Sequence, residues 1–227
     1  MTFFILLLFL VEEFFLLILK KLVVGPLGAN SYIFGSSITK EVVVVDPGGE
    51  PSKIIHSIEE IGGKPISILL THGHFDHIGG LGRVKRHFEI PLMFNKKEYE
   101  SGIFHRTQAD RWLNEGDTID IGEITLHVLE TPGHSPGSLC FYSKDVKEYN
   151  EKKEIDGLIF TGDLIFQRGI GRSNLRGGNP KQLFSSIKNK LINNDEFTDD
   201  FLMFPGHMGL TSIGEKREMN MFQDRIL

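Results

Sequence analysis

Thr71-His72-Gly73-His74-Phe75-Asp76-His77 places three imidazoles and a carboxylate within six consecutive positions. Imidazole nitrogen and carboxylate oxygen are donors that zinc, iron and manganese accept from proteins. Two histidines one residue apart on a tight turn can converge on one ion. Asp76 and His77, on the next bend, can face a second. One ion takes only three or four protein ligands, so four candidates here, plus what the rest of the chain offers, point to two ions. The plain alternative is a solvated polar loop, and the tight spacing argues against it.

The elements around this stretch decide whether it can be held rigid. Ile66–Leu70 is apolar, partly β-branched and preceded by Gly62-Gly63, which predicts a short buried strand. The cluster therefore sits at a strand end, where a loop carries function on a fixed scaffold. Before it, Leu19–Val24, Asn30–Gly35 and Val42–Val45 read as strands, the last wholly β-branched and so buried on both faces. Asp46-Pro47-Gly48-Gly49 is a turn. Pro51–Ile61 reads as a helix with Ile54, Ile55, Ile58 and Ile61 on one face and His56 in solvent. After the cluster, Gly79–His87 reads as a helix with basic residues at its end, and Pro91–Phe94 as a strand. Lys96–Glu115 reads as a helix and a mobile flap, with His105 a candidate substrate contact. Ile119–Ile121 and Ile124–Leu129 read as paired strands, with His127 on the side away from the core. Leu139–Tyr142, Leu158–Thr161 and Phe201–Phe204 are further strands. Asn179-Pro180 starts a helix as N-cap and first residue, burying Leu183, Phe184, Ile187 and Leu191. Ser212-x-x-Glu215 reads as a capping box.

The bulk of the chain is ordinary for a globule: 227 residues, 40% hydrophobic and 24% charged, with a formal charge of −5. No block of Lys and Arg offers a nucleic-acid footprint. The one cysteine, Cys140, has no partner for an internal disulfide, which fits a reducing, cytoplasmic compartment, and its strand-like surroundings predict a buried core residue. Residues 1–18 are an apolar extension interrupted by Glu12-Glu13, a poor membrane span and a poor signal peptide. They read as an interfacial or oligomer-forming extension, as a weak signal anchor or, by preference, as translation from an upstream start codon, with membrane contact not expected, ahead of a single domain over 19–227.

His72-x-His74-x-Asp76-His77 resembles the signature of the metallo-β-lactamase fold hydrolases. The resemblance continues in order through Thr131-Pro132-Gly133-His134, Thr161-Gly162-Asp163 and Phe204-Pro205-Gly206-His207. It is closest to small type II glyoxalase relatives, judging by Gly25-Pro26-Leu27-Gly28-Ala29-Asn30 and Gly171-Arg172-Ser173. The resemblance implies an α+β fold, a four-layer αββα sandwich with the site along one edge of the two sheets. It also implies that His72, His74 and His134 hold one metal, that Asp76, His77 and His207 hold the other, and that Asp163 bridges them. Asp46 is then a candidate brace for the metal loop. Tight turns before His134 and Asp163 agree with this reading.

Two divalent ions, zinc by preference and iron or manganese by donor type, would carry a bridging hydroxide of lowered pKa for attack on a carbonyl, with Asp76 also orienting it. Thiols ionise near about 8.5, so a thiolate leaves with little protonation, and no separate general acid is evident. An acyl thioester is the expected small-molecule substrate, as in hydroxyacylglutathione hydrolase. Larger members of that group bind glutathione partly through a C-terminal helical domain, whereas 20 residues follow His207 here, which leaves the thiol carrier open. Arg168, Arg172 and Arg176, in a glycine-rich loop, are candidate anchors for an anionic tail. Relatives often carry Asp near position 174 and Pro near 176, where this chain has Asn174 and Arg176.

A second reading is a persulfide dioxygenase with one iron on His72, His134 and Asp163, a facial triad. A non-enzymatic diiron flavoprotein module is disfavoured by His74, where such modules carry Glu. Lactamase and nuclease activities are disfavoured by the absence of an export signal and by the charge, respectively.

Overall fold

Val42, Val43, Val44 and Val45 are each at most 1% exposed. Val43 and Val45 face a second sheet, while Val42 and Val44 face helices. That double burial is what an all-β-branched run calls for, and it places this strand inside a four-layer structure.

The computed structural model describes residues 17–150 and 153–219, so what was expected of residues 1–16 lies outside the described residues. The first half of the chain forms β1 (Leu17–Val24), β2 (Ala29–Ser36), β3 (Glu41–Val45), α1 (Pro51–Glu60), β4 (Lys64–Leu69), α2 (Phe75–Ile78), α3 (Leu81–Phe88), β5 (Leu92–Phe94), α4 (Lys96–Glu100) and β6 (Arg111–Trp112). Its six strands lie side by side in sequence order, antiparallel from β1 to β3 and parallel from β3 to β6. The second half forms β7 (Thr118–Ile121), β8 (Ile124–Glu130), β9 (Leu139–Ser143), the small pair β10 (Glu148–Tyr149) and β11 (Lys153–Glu154), β12 (Gly157–Gly162), α5 (Pro180–Ser185), β13 (Phe201–Pro205), β14 (Thr211–Ser212) and α6 (Ile213–Glu218). Its main sheet runs β14-β13-β12-β9-β8-β7, antiparallel except where β12 meets β13.

Three apolar clusters glue the layers. Between the sheets, Tyr32, Phe34, Val43, Val45 and Leu69 meet Ile121, Leu126, Val128, Phe141, Phe160 and Phe204. Outside the first sheet, Ile54, Ile55 and Ile58 of α1 and Leu81 and Val84 of α3 cover Leu22, Ile33, Val42, Val44 and Ile68. Outside the second, Leu183, Ile187, Leu191 and Ile213 cover Cys140, Ile159 and Met203. This is the expected αββα sandwich, with Cys140 buried in the core. Among the described residues no helix is long and apolar enough to cross a membrane.

Several boundaries differ from the pattern-based reading. β1 starts two residues early: Leu17 and Ile18, assigned to the extension, pair with Ser36 and Gly35, with Leu17 packed on the inter-sheet core and Ile18 on the outer one. The helix expected over Gly79–His87 starts at Leu81, and the short α2 before it carries Asp76 and His77. His127 is not a free surface residue. It is half-buried and stacks on its cross-strand partner Tyr142, with ring centroids 5.1 Å apart. The helix from Pro180 runs as α only to Ser185 and continues as a π-helical stretch over Ser186–Ile192. A four-residue repeat overshoots an α-helical turn, and the wider π turn takes back that drift, keeping Leu183, Ile187 and Leu191 all fully buried while Phe184 is only partly so. The capping box is half made: Ser212 Oγ accepts from the Glu215 N–H at 3.1 Å, but the Glu215 carboxylate accepts from Thr211 Oγ1 instead.

Phe160 touches Tyr32 and Phe34 across the sheets, with centroids 5.1 and 5.2 Å apart, and carries no solvent exposure. Phe160→Ala is therefore expected to destabilise the fold by about 3–5 kcal/mol, read from urea unfolding; a loss below about 1 kcal/mol would contradict this account of the core.

Candidate metal centre

Each of the seven motif residues sits just past a strand end or on α2. His72 and His74 follow β4, Asp76 and His77 lie on α2, His134 follows β8, Asp163 follows β12 and His207 follows β13. The first sheet thus supplies four of the side chains and the second sheet three. All seven meet at one edge of the sandwich.

Within this cluster His134 Nε2 lies 3.2 Å from His72 Nε2 and 2.9 Å from His74 Nδ1. The ring tautomers follow from the outer partners. His134 Nδ1 donates to the Arg172 carbonyl at 2.6 Å, so its Nε2 carries a lone pair. Thr71 Oγ1 donates to Asp46 Oδ2 at 2.5 Å and so accepts from His72 Nδ1 at 3.1 Å, which leaves His72 Nε2 with a lone pair as well. Two nitrogen lone pairs facing each other at this distance repel unless a cation stands between them. Nitrogens about 2.0–2.1 Å from a tetrahedral zinc would be about 3.3 Å apart, close to what is seen.

The second group pairs acid with base. His207 Nε2 is 3.2 Å from Asp76 Oδ2, and His77 Nε2 is 3.8 Å from the same oxygen. Asp163 stands between the groups: Oδ1 is 3.3 Å from His77 Nε2, and Oδ2 is 3.6 Å from both His134 Nε2 and His207 Nε2. His77 Nε2 and Asp163 Oδ1 are buried without an aligned hydrogen-bond partner. Buried polar atoms are almost always satisfied, so these two mark a place for an ion. His72, His74 and His134, and separately Asp76, His77 and His207, could each hold a metal. Asp46 is also within reach of His72 and His77, but its oxygens are engaged by Thr71 and by His77 Nδ1 at 2.9 Å, so it is a brace, as the sequence suggested.

Electrostatics separates the two groups. Burial, and then the charge on His77, holds His72 well below the ordinary imidazole value. Burial and His134 bring His74 down to about 4, and burial lowers His134 against the pull of Asp163. His77 goes the other way: burial opposes its charge, but Asp163 and Asp46 outweigh burial and raise it well above its usual value. The hydrogen bond to Asp76 raises His207. Asp76 is brought down to about 2, because the His207 hydrogen bond and the His77 charge overcome burial, and Asp163 is lowered against burial chiefly by His77.

The supports are as specific as the ligands. Glu98 of α4, fully buried and without an ion pair among the described residues, accepts from Gly73 N at 2.8 Å, from Gly137 N at 2.6 Å and from Ser135 Oγ. It thereby ties the His72-Gly73-His74 turn to the loop of His134, and burial, partly offset by Ser135, raises its pKa. On the other side Asn30 Nδ2 donates to the Pro205 and Met208 carbonyls at 2.8 and 3.1 Å, and the Tyr32 hydroxyl to the Pro205 carbonyl at 2.6 Å, fixing the turn of His207. A Cβ on Gly206 would lie 2.4 Å from Asp163 Oδ1, and one on Gly162, at φ +49°, would lie 2.4 Å from Thr71 Oγ1. Glycine is thus required twice for close approach to the ligands.

The cluster opens into a cavity of about 910 Å3 lined by Leu27, Phe75, Ile103, Phe104, Arg106, Phe166, Arg172, Arg176 and Met208 among others. A match to the model of the metallo-beta-lactamase superfamily spans residues 24–149, more than half of the chain. The chain belongs to the metallo-beta-lactamase superfamily. It is 34% identical to the hydroxyacylglutathione hydrolase GloC of Haemophilus influenzae over 81% of this chain and 87% of that one. The solved structure of TTHA1623 in a di-iron-bound form superposes with a TM-score of 0.74 at 29% identity, covering 89% of this chain and 99% of that one. ETHE1 from Myxococcus xanthus superposes at 0.75 and 25%, covering 90% and 83%. A superfamily of metallo-hydrolases thus accounts for both the sandwich and the donor set.

Of the three candidate anchor arginines, the structure puts Arg172 and Arg176 on the cavity but not Arg168. Ile165 and Ile170 bridge, and Phe166 N donates to the Gly169 carbonyl, so Arg168 sits at the exposed tip of a tight hairpin. His105 lines the cavity, while His56 and His87 are exposed and pair with Glu60 and Glu59. Glu98 and Arg106 were not singled out in the sequence. Glu98 lies among Lys96-Lys97-Glu98-Tyr99-Glu100, which reads as a solvated helix face, and its role depends on partners 25 to 39 residues away.

Glu98→Gln should leave an amide N–H facing a donor at a buried position, costing about 1–3 kcal/mol and weakening metal retention. Dialysis against a chelator, with stability read on the metal-free protein, separates the two effects; unaltered metal retention would dismiss the brace. Acid sensitivity follows from the same site. His72, His74 and His134 have lowered pKa values, so the stability they confer on metal-stripped protein is present above about 6.5 and falls as pH drops below it. Asp76 and Asp163 add a further loss below about 4. His77 and His207, raised, act in the opposite sense and only partly compensate. A urea midpoint that stays flat between pH 7 and 4 would contradict this balance.

Proposed function

We propose that the protein is a metal-dependent hydrolase of acyl thioesters that works with two metal ions, one held by His72, His74 and His134 and the other by Asp76, His77 and His207, with Asp163 shared. The observation that carries the reading is the placement of Asp163, whose Oδ2 lies 3.6 Å from both His134 Nε2 of one group and His207 Nε2 of the other, while its Oδ1 lies 3.3 Å from His77 Nε2. Zinc suits the donor set, and iron suits it too, as in the di-iron form of the neighbour TTHA1623. Ions bound there supply an activated water and a Lewis acid for the substrate carbonyl.

The chain's own residues do the rest. Asp76, anionic at neutral pH, lines the cavity and can accept a hydrogen bond from the attacking water, orienting it. Asp46 and the Arg172 carbonyl fix His77 and His134 by their Nδ1 atoms, so the Nε2 atoms are aimed before any ion arrives. Phe75, Phe166 and Met208 line the cavity beside them and give it an apolar wall. The net reaction adds water across the acyl C–S bond to give a carboxylate and a thiol. The sulfur leaves as a thiolate without assistance from an acid and takes its proton afterwards, which suits a site with no separate general acid. Cys140 is no nucleophile, since burial pushes its thiol up to about 12. The similarity to GloC supports a thioester as the substrate class.

A second reading, a dioxygenase with one iron on His72, His134 and Asp163, is favoured by the convergence of those three groups. Metal content decides between them. About two ions per chain and thiol release from S-lactoylglutathione are expected, with His207→Ala falling to about one ion and losing more than about 100-fold in kcat/KM. One iron per chain, no thiol release and oxygen uptake with a persulfide would replace the hydrolase reading.

A further inference from the structure

The two sides of the cavity differ in chemistry. Beside His72, His74 and His134 the wall is cationic. Its backbone is tied to that group: the Arg172 carbonyl holds His134, and a Cβ on Gly73 would collide with Phe104. Arg106, Arg172 and Arg176 line this side and are exposed. Among the described residues the arginine ion pairs are those of Arg111 and Arg217. Arg172 Nε donates instead to Asn174 Oδ1 at 3.2 Å, and Arg176 Nη2 to the Ser101 carbonyl at 3.5 Å, both neutral acceptors. Three guanidiniums on one cavity with no carboxylate ion-paired to them among the described residues, in a chain of formal charge −5, match a planar anion.

Beside Asp76, His77 and His207 the wall is apolar. Phe75 and Met208 are 66% and 52% exposed, and the Phe166 ring stands edge-on to His207 at 5.9 Å. Large apolar side chains left open around a reactive centre mark a place that a ligand covers.

We propose that the substrate is an amphipathic thioester, with a carboxylate at one end bound by Arg106 and Arg176 and an apolar chain at the other laid over Phe75 and Met208. This deepens the thioesterase reading and rests on it. The scissile carbonyl then lies between the walls, against the ligand cluster. Hydrolysis delivers hydroxyl to the acyl carbon and a proton to sulfur, and the arginines hold the anion without taking part in bond making. A group as small and polar as lactoyl would leave the apolar wall wet. Either half of the thioester can bear the carboxylate.

The test compares S-hexanoyl-3-mercaptopropionate, charged on the thiol half, and S-hexyl monothioglutarate, charged on the acyl half, each with its methyl ester. Binding of the uncleavable thioether 3-(hexylthio)propionate is followed by calorimetry. In one pair the acid should exceed its ester by about tenfold or more in kcat/KM, which also identifies the charged half. The double variant R106A/R176A should bring that ratio near unity and weaken thioether binding by a similar factor. Equal kcat/KM for acid and ester in both pairs, or unchanged thioether affinity in the double variant, overturns the proposal. Thiol release from none of the four compounds, with thioether binding still dependent on the two arginines, would remove the thioesterase reading and leave the anion-binding wall standing.

Discussion

One buried carboxylate holds the centre in register. Asp46 sits at the end of β3 with its backbone at φ +50°, a conformation few side chains adopt. From there it accepts from the Thr71 N–H, the Thr71 hydroxyl and His77 Nδ1. Three segments, the ends of β3 and β4 and the helix α2, are thus locked through one side chain. Thr71 passes the constraint on to His72 through its hydroxyl, and a second side chain could not fit where Gly162 meets that hydroxyl. Removing the carboxylate would strand several buried donors, each worth about 1–3 kcal/mol.

Among the polar links that attach the second sheet to this frame, two side-chain clamps act at the site. Glu98 reaches the His134 loop, and Asn30 with Tyr32 reaches the His207 turn. Apolar packing between the sheets supplies the bulk of the attraction, but it is non-directional and cannot set a side chain to a few tenths of an ångström. The hydrogen bonds do that. The centre they create is electrostatically unbalanced by design of its parts, with neutral imidazoles facing one another on one side and a charged cluster on the other.

The layer order was legible because it is written locally, and the residues that converge at the edge were legible partly from local spacing and, for His134, Asp163 and His207, from motif resemblance. His72, His74, Asp76 and His77 fall in one turn, and the strands carry their apolar alternation in short windows. The braces were not. Glu98 reads as one more charge on a polar helix, and only its contacts with Gly73, Ser135 and Gly137 give it a role. Arg168 and Arg172 look equivalent in the sequence, yet a bridge between Ile165 and Ile170 turns one away from the cavity. The π-helical stretch is hidden for a similar reason: its apolar spacing is set by the sheet it covers. His127 takes the face that strand alternation gives it, but alternation says nothing about the Tyr142 ring that half-covers it there.

The order of strands has a kinetic meaning. In the first sheet every hydrogen-bonded neighbour is also the next strand in sequence, and the second departs from this only by skipping the small β10–β11 pair. Each half can therefore assemble from short-range pairings, the kind that form quickly. The seven-residue centre exists only after the halves have docked, since His134, Asp163 and His207 come from one and the remaining four from the other. An ion gripped by both halves adds its binding energy after the transition state for forming either sheet. Its effect falls on the rate at which the halves come apart, so a bound ion acts as a latch on unfolding and leaves the speed of folding largely untouched.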